Sequence, residues 1–257
     1  RFHAPWIVLL TLVNVVYGAF IAMTQNDLKY MIGFSSVSHM GYVLLGMAAM
    51  TKLGLIGASF QMINHGISSP MMFALVGVIY DRAHHRDLNR FGGIANQMPK
   101  YAGMALVGFF ASIGLPGLNG FIPEALVFFG AFQSKLGTAG DGSWWLVLTS
   151  VRFWTVICTL GIVLTAAYLL WAYQRVFYGK MKDPHYKEFK DLGATEWLTL
   201  VPLAIFCVVL GILPQLGIRY LDGPMRVMQN NMMRHVPEFE RQVEEDRMEK
   251  PAQPAKE

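Results

Sequence analysis

The chain has 257 residues, 54% of them hydrophobic and 15% charged, with mean hydropathy +0.37 and a formal net charge of +4. Soluble domains carry about 25% charged residues, so the composition excludes a soluble enzyme and reads as an integral membrane protein. Cys158 and Cys207, both in apolar runs, exclude a disulfide framework and a cysteine metal cluster.

A membrane helix needs about 20 predominantly apolar residues. Taken in chain order, the apolar runs predict helices over 4–26, 30–51, 53–80, 101–134, 153–174 and 197–218, six spans with no alternating strand pattern. The sequence starts at Arg1 with no initiator Met and no signal-peptide pattern, which reads as a piece of a longer or processed chain. Loops one-to-two, three-to-four and five-to-six carry ten basic residues, among them Lys29, Arg82, Arg86 and Arg175, against Lys52, Lys135 and Arg152 on the other side. The positive-inside rule puts the basic side in the cytoplasm or matrix, so both termini are expected outside. Residues 1–218 form the predicted helix bundle. The remainder, 219–257, reads as a charged tail with an amphipathic segment from Pro224 and a disordered end.

The fourth span cannot be one continuous helix. Its middle reads Gly114, Leu115, Pro116, Gly117, Leu118, Asn119, Gly120, and then Pro123. Proline removes a helical hydrogen bond, and glycine lowers helix propensity. Just past the break sits Glu124, with no other acidic residue between Asp87 and Asp141. Broken backbone at membrane depth needs protein or a wet cavity around it. An ionisable group there points to an ion or proton path.

Two histidines also lie inside apolar runs. On the third span, Gln61, Asn64, His65 and Ser68 recur at helical spacing and make one polar stripe. Facing the bundle, such a stripe is either a hydrogen-bonded packing seam or part of an ion path, and the two readings weigh evenly. His39 lies among Ser35, Ser36 and Ser38; a histidine satisfied by a nearby carbonyl is the preferred reading, with a titrating relay as the alternative. Asp27 is a candidate cap for the second helix, which leaves Lys29 as an interfacial anchor. His84 and His85, adjacent and without a third ligand, do not make a metal site. No phosphate loop, dinucleotide fingerprint or haem attachment sequence is present.

Four stretches together resemble one family: DLKYMIGFSSVSHMG (27–41), QMINHG (61–66), YDRAHHRD (80–87) and GLPGLNGFIPE (114–124). They are similar to the antiporter-like, proton-pumping subunits of respiratory complex I, most of all the NuoM type, called NADH dehydrogenase subunit 4 in mitochondria. The resemblance covers about residues 5–218. It implies an all-α membrane fold of two inverted five-helix repeats, each with one broken helix. The present chain would supply the second repeat and the last helix. It implies that Glu124, His65 and His39 are proton-translocation residues, with Gln61, Asn64, Ser68 and Asn119 lining a water path beside the break at Gly114, Pro116, Gly117 and Gly120. Glutamate at 124 distinguishes this type from Mrp-type antiporter subunits, which usually carry lysine there. Two features depart from the family. Ile122 and Pro123 precede the glutamate where small residues are usual, and the first repeat, with its glutamate–lysine pair, is absent.

The resemblance further implies a subunit of a proton-translocating NADH:quinone oxidoreductase with no redox catalysis, metal or cofactor of its own. FMN, iron–sulfur clusters and quinone would belong to partner subunits. The expected partners are other membrane-arm subunits, a chain carrying the first repeat, and lipid, with no nucleic acid. The expected place is the mitochondrial inner membrane or the bacterial plasma membrane, termini toward the intermembrane space or periplasm. The alternatives are an Mrp-type sodium/proton antiporter subunit, a membrane subunit of a hydrogenase-type relative, and an inert half-subunit bracing a membrane arm.

Overall fold

A computed structural model describes residues 4–134 and 150–233 of the chain. Lys135 and everything beyond Met233, including most of the expected tail, lie outside the described residues. Among the described residues every regular element is a helix. The first span is a continuous rod of α1 (Ala4–Leu12), a π-helical turn (Val13–Tyr17) and α2 (Gly18–Thr24). Then follow α3 (Leu28–Ala48), α4 (Lys52–Ala83), the short α5 (Ile94–Gln97), α6 (Pro99–Ile113) and α7 (Phe121–Gln133). The chain continues through α8 (Val151–Phe177), a 3-10 turn (Pro184–Glu188), α9 (Ala194–Ile212) and α10 (Gln215–Met233). Among the described residues five helices are long and apolar enough to cross a membrane: the α1–α2 rod, α3, α4, α8 and α9. The expected fourth span is the pair of half-helices α6 and α7.

Helix α4 is the spine. Its 32 residues rise about 48 Å at 1.5 Å per residue, and it packs against α3, α6, α7, α9 and α10. Thr51 starts it: the hydroxyl accepts from the Gly54 N–H at 3.1 Å and donates to the Gly130 carbonyl at 2.9 Å, which ties the start of α4 to the end of α7. That approach depends on glycine. A Cβ on Gly130 would collide with the backbone of Gly54, and one on Gly57 would come within 2.6 Å of the Val127 nitrogen. Small residues at helix crossings are how membrane helices gain packing contact.

The Asp27 cap forms as expected, its carboxylate accepting from the Lys29 and Tyr30 N–H groups at 2.8 and 3.2 Å. Lys29 is exposed at that end. The basic connections do meet at one end of the bundle. Asp27 pairs with Asp87 in an antiparallel bridge, and Arg175 and Lys182 both donate to Asn89, at 2.6 and 2.7 Å.

The last elements differ from the sequence expectation. The sixth span starts earlier, at Ala194, because Glu196 reaches back to accept from the Gly193 N–H at 2.7 Å. It ends at Ile212, two residues before Pro214, since the residue before a proline is pushed out of helical geometry. The amphipathic helix begins at Gln215 rather than Pro224, so position 219 falls inside α10. Pro224 sits on an exposed face of that helix. Helix α10 lies on the start of α4, held by Lys52–Asp222 at 2.6 Å and by Gln229 donating to the Met50 carbonyl at 3.4 Å.

Candidate functional site

The break between α6 and α7 builds the site. Helix α6 ends in a Schellman motif: Leu115 N–H donates to the Phe110 carbonyl at 3.2 Å and Gly114 N–H to Ala111 at 3.3 Å. This needs Gly114 in the left-handed region, and its φ is +79°. Gly114 also leaves room for chemistry, because a Cβ there would sit 2.9 Å from Glu124 Oε2. Helix α7 restarts at Phe121, with Pro123 in its first turn, where the missing N–H costs nothing. Glu124 then falls near the positive end of the half-helix dipole.

Glu124 is 6% exposed and His39, across from it on α3, is 3% exposed. His39 Nδ1 lies 3.3 Å from Glu124 Oε1. The approach is close but off the line of a hydrogen bond, and neither ring nitrogen has a well-aligned partner. The preferred carbonyl partner for His39 is therefore not what the fold supplies; the ring faces a carboxylate. The rings of His39 and His65 are 5.5 Å apart, tilted at 42°. Asn64 on α4 and Asn119 in the break clasp each other. Each side-chain amide donates to the other's backbone carbonyl, at 2.9 and 3.1 Å.

A cavity of about 10 Å³ runs between these groups, lined by His39, Gln61, Asn64, His65, Ser68, Ser112 and Glu124 among others. One water needs about 10–15 Å³ measured this way. Gln61 Oε1, Asn64 Oδ1 and Asn119 Oδ1 are buried without hydrogen-bond partners. Leaving such a group unpaired costs about 1–3 kcal/mol, so the lining favours a bound water.

The structure thus brings together Glu124, His39, His65, Gln61, Asn64 and Ser68 around one cavity, with Asn119 beside it. Lys29 stays apart at the surface. Sequence reading missed Ser112, whose signal was a lone hydroxyl directly before the Gly–Pro break. It also missed Tyr42, Thr165 and Tyr168, buried polar side chains on α3 and α8; a helical-period count along α8 would have found the last two.

A larger open groove of about 370 Å³ lies at the basic end, lined by Asn26, Asp27, Tyr80, His84, His85, Arg86 and Asp87. Its charges are mixed, and Arg86 is held by Asp27 at 3.0 Å. His85 stacks on Phe91 and shares a 2.8 Å hydrogen bond with the Tyr186 hydroxyl. Burial, aided by Arg90, holds the His85 pKa below its ordinary value. Among the described residues no three metal-ligating side chains converge.

Residues 1–169 match the family model described as NADH:quinone oxidoreductase/Mrp antiporter, transmembrane. The chain belongs to this family. It is 38% identical over 220 residues to NADH-quinone oxidoreductase subunit M of Rhodobacter capsulatus, covering 85% of this chain and 40% of that protein. It is 35% identical over 211 residues to the same-named subunit of Rickettsia prowazekii, covering 82% and 40%. A chain in respiratory complex I from Thermus thermophilus with bound NADH matches at TM-score 0.73 and 27% identity, over 87% of this chain and 44% of that one. The resemblance read from the four motifs therefore holds, and so does the all-helical membrane fold. The chain spans about two fifths of the length of the curated relatives it matches.

Proposed function

We propose that this chain carries the second proton-handling half of a membrane-arm subunit of NADH:quinone oxidoreductase, of the subunit M type. The observation that supports it most is the Glu124–His39 pair, buried beside a helix break and joined by a polar cavity to His65. In this reading Glu124 holds a proton and exchanges it with a lysine from outside this chain, on a neighbouring subunit or in the first repeat. His39 and His65 pass protons along the membrane-parallel axis through water at Gln61, Asn64, Ser68 and Asn119. The redox groups, FMN, iron–sulfur clusters and quinone, belong to partner subunits. The host is the mitochondrial inner membrane or a bacterial plasma membrane. The basic end, where Lys29, Arg86 and Arg175 gather, faces the matrix or cytoplasm by the positive-inside rule.

Glu124→Gln keeps the shape of the side chain and removes its titration. In the assembled complex it lowers protons pumped per electron while NADH-oxidising centres stay intact. Unchanged stoichiometry would leave the chain as an inert brace. The family description also covers Mrp antiporters, which favours a second reading as a sodium/proton antiporter subunit. Purification of the native assembly separates the two: flavin and iron–sulfur proteins accompany the first, and hydrophobic antiporter subunits alone accompany the second.

A further inference from the structure

The first span carries the one π-helical turn of the described residues, Val13–Tyr17. Such a turn fits one extra residue into an α-helix, is rare, and is often found at functional sites. Here the Gly18 N–H that closes it is shared among the carbonyls of Val13, Asn14 and Val15, so the ladder is loosened at this point. Ser38 of α3 reaches across to it. Its hydroxyl donates to the Val15 carbonyl at 2.9 Å, and both residues are fully buried. The neighbouring helices leave room for the turn. A Cβ on Gly41 of α3 would come within 2.5 Å of one Val15 methyl group, and a Cβ on Gly161 of α8 would collide with the other. Close packing of membrane helices calls for small residues, but not for a slipped ladder or a buried hydroxyl.

His39 is the residue after Ser38. Neither of its ring nitrogens has a well-aligned hydrogen-bond partner, so the aim of the ring comes from the α3 backbone. Consecutive side chains on a helix project about 100° apart. Ser38 points at the first span, and His39 points at Glu124 on α7 and His65 on α4. Turning α3 by about 20° on its axis would move each Cα by about 0.8 Å, given the Cα radius of about 2.3 Å. The ring, farther from the axis, would move more. That is enough to spoil the 3.3 Å approach of His39 Nδ1 to Glu124 Oε1.

We propose that the π-turn and Ser38 form a positioning device for His39. The bond from Ser38 to the Val15 carbonyl fixes the rotation of α3, and that rotation holds the His39 ring against Glu124. The proposal rests on the reading of Glu124 and His39 as a proton-handling pair, and it names what sets their separation. Neither Ser38 nor Val15 lines the cavity, so both act through α3 and not on the proton itself.

The experiment uses the assembled complex in sealed vesicles, with Ser38→Ala and a deletion of Val16 measured beside Ser36→Ala, His39→Gln and Glu124→Gln. The deletion takes the extra residue out of the π-turn. Ser36 is the control, because its hydroxyl donates within α3, to the Ile32 carbonyl at 3.2 Å. Two readouts are taken: protons pumped per electron, and the infrared band of the Glu124 carboxyl group, identified as the band that Glu124→Gln removes. The device requires Ser38→Ala and the deletion to move that band to where His39→Gln places it, and to lower the pumping ratio toward that of Glu124→Gln. Ser36→Ala keeps both at their native values. Ser38→Ala removes a single oxygen, so it tests the bond even where the deletion disturbs assembly. A native band in Ser38→Ala overturns the proposal. So does an unmoved band in His39→Gln, because the ring would then not act on the carboxylate, and so does an equal shift in Ser36→Ala, because loss of any hydroxyl on α3 would then suffice. A shifted band in Ser38→Ala beside normal pumping in Glu124→Gln keeps the positioning device and removes the proton-handling function, so the two failures are distinct.

Discussion

At Gly114 one residue serves two demands at once: a positive φ that closes helix α6, and an open space that Glu124 fills. A non-glycine residue held in the left-handed region costs about 1–3 kcal/mol, and here the added methyl also meets Glu124 Oε2. Gly114→Ala is expected to lower thermal stability by about that amount and to displace the carboxylate, and on the proton-handling reading proposed above pumping then falls more than stability alone explains. Comparing the melting temperature with the pumping ratio checks both parts. The sequence made Glu124 legible because an isolated carboxylate in an apolar run next to glycine and proline has few bland explanations. His39 was less legible. Its serine-rich neighbours suggested a local partner, whereas its actual neighbour is 85 positions away on another helix, and no periodicity along α3 reports that pairing.

Polar clamps hold the helices to one another, and several of them sit at the ends. Arg82, at the end of α4, grips Glu196 with both guanidinium nitrogens at 2.7 and 2.8 Å, and also donates to the Lys190 and Asp191 carbonyls at 2.7 and 3.2 Å. One side chain thereby fixes the start of α9 and the loop before it. Lysine lacks the planar fork that matches a carboxylate. Arg82→Ala is expected to cost about 1.5–3 kcal/mol, the range for hydrogen bonds to charged groups, read as a drop in unfolding temperature; Arg82→Lys is expected to recover only part of it. Element existence was plain from the apolar runs, and the break was plain from Gly114, Pro116 and Gly117. Element ends were not. The sixth span starts and stops where Glu196 caps it and Pro214 cuts it, and α10 runs through Pro224 because the lost backbone bond falls on an exposed face. A charge-free window registers none of these local contacts.

The whole bundle closes at its basic end, where three connections converge on Asp27, Asn89 and the His85–Tyr186 pair. His85 has a folded pKa below its ordinary 6.5, so the unfolded chain binds more protons between the two values. Its contribution to stability is complete above pH 6.5 and is lost as the pH falls toward the folded pKa. Unfolding temperature is therefore expected to decline on acidification below neutrality, and His85→Gln to flatten that decline; a scan of melting temperature from pH 7.5 to about 5 measures it. The gathering of basic loops at one end was legible from charge counts, since loop parity alone assigns ends. The lateral contacts that make α4 the spine were not, because six apolar helices can be arranged in many ways with the same hydropathy. Consider that spine as a mechanical part. Its polar ties include Thr51 to Gly130 at one end, Asn64 to Asn119 in the middle, and Arg82 to Glu196 at the other. Its one joint is Pro70, where the ladder lacks a rung, and that joint lies between the middle pin and the Arg82 end. A load applied at the Arg82 end is absorbed by flexing at Pro70, while a load at the Thr51 end travels along stiff helix straight to the clasp beside Glu124. The two faces of the membrane hold unequal levers on the same carboxylate.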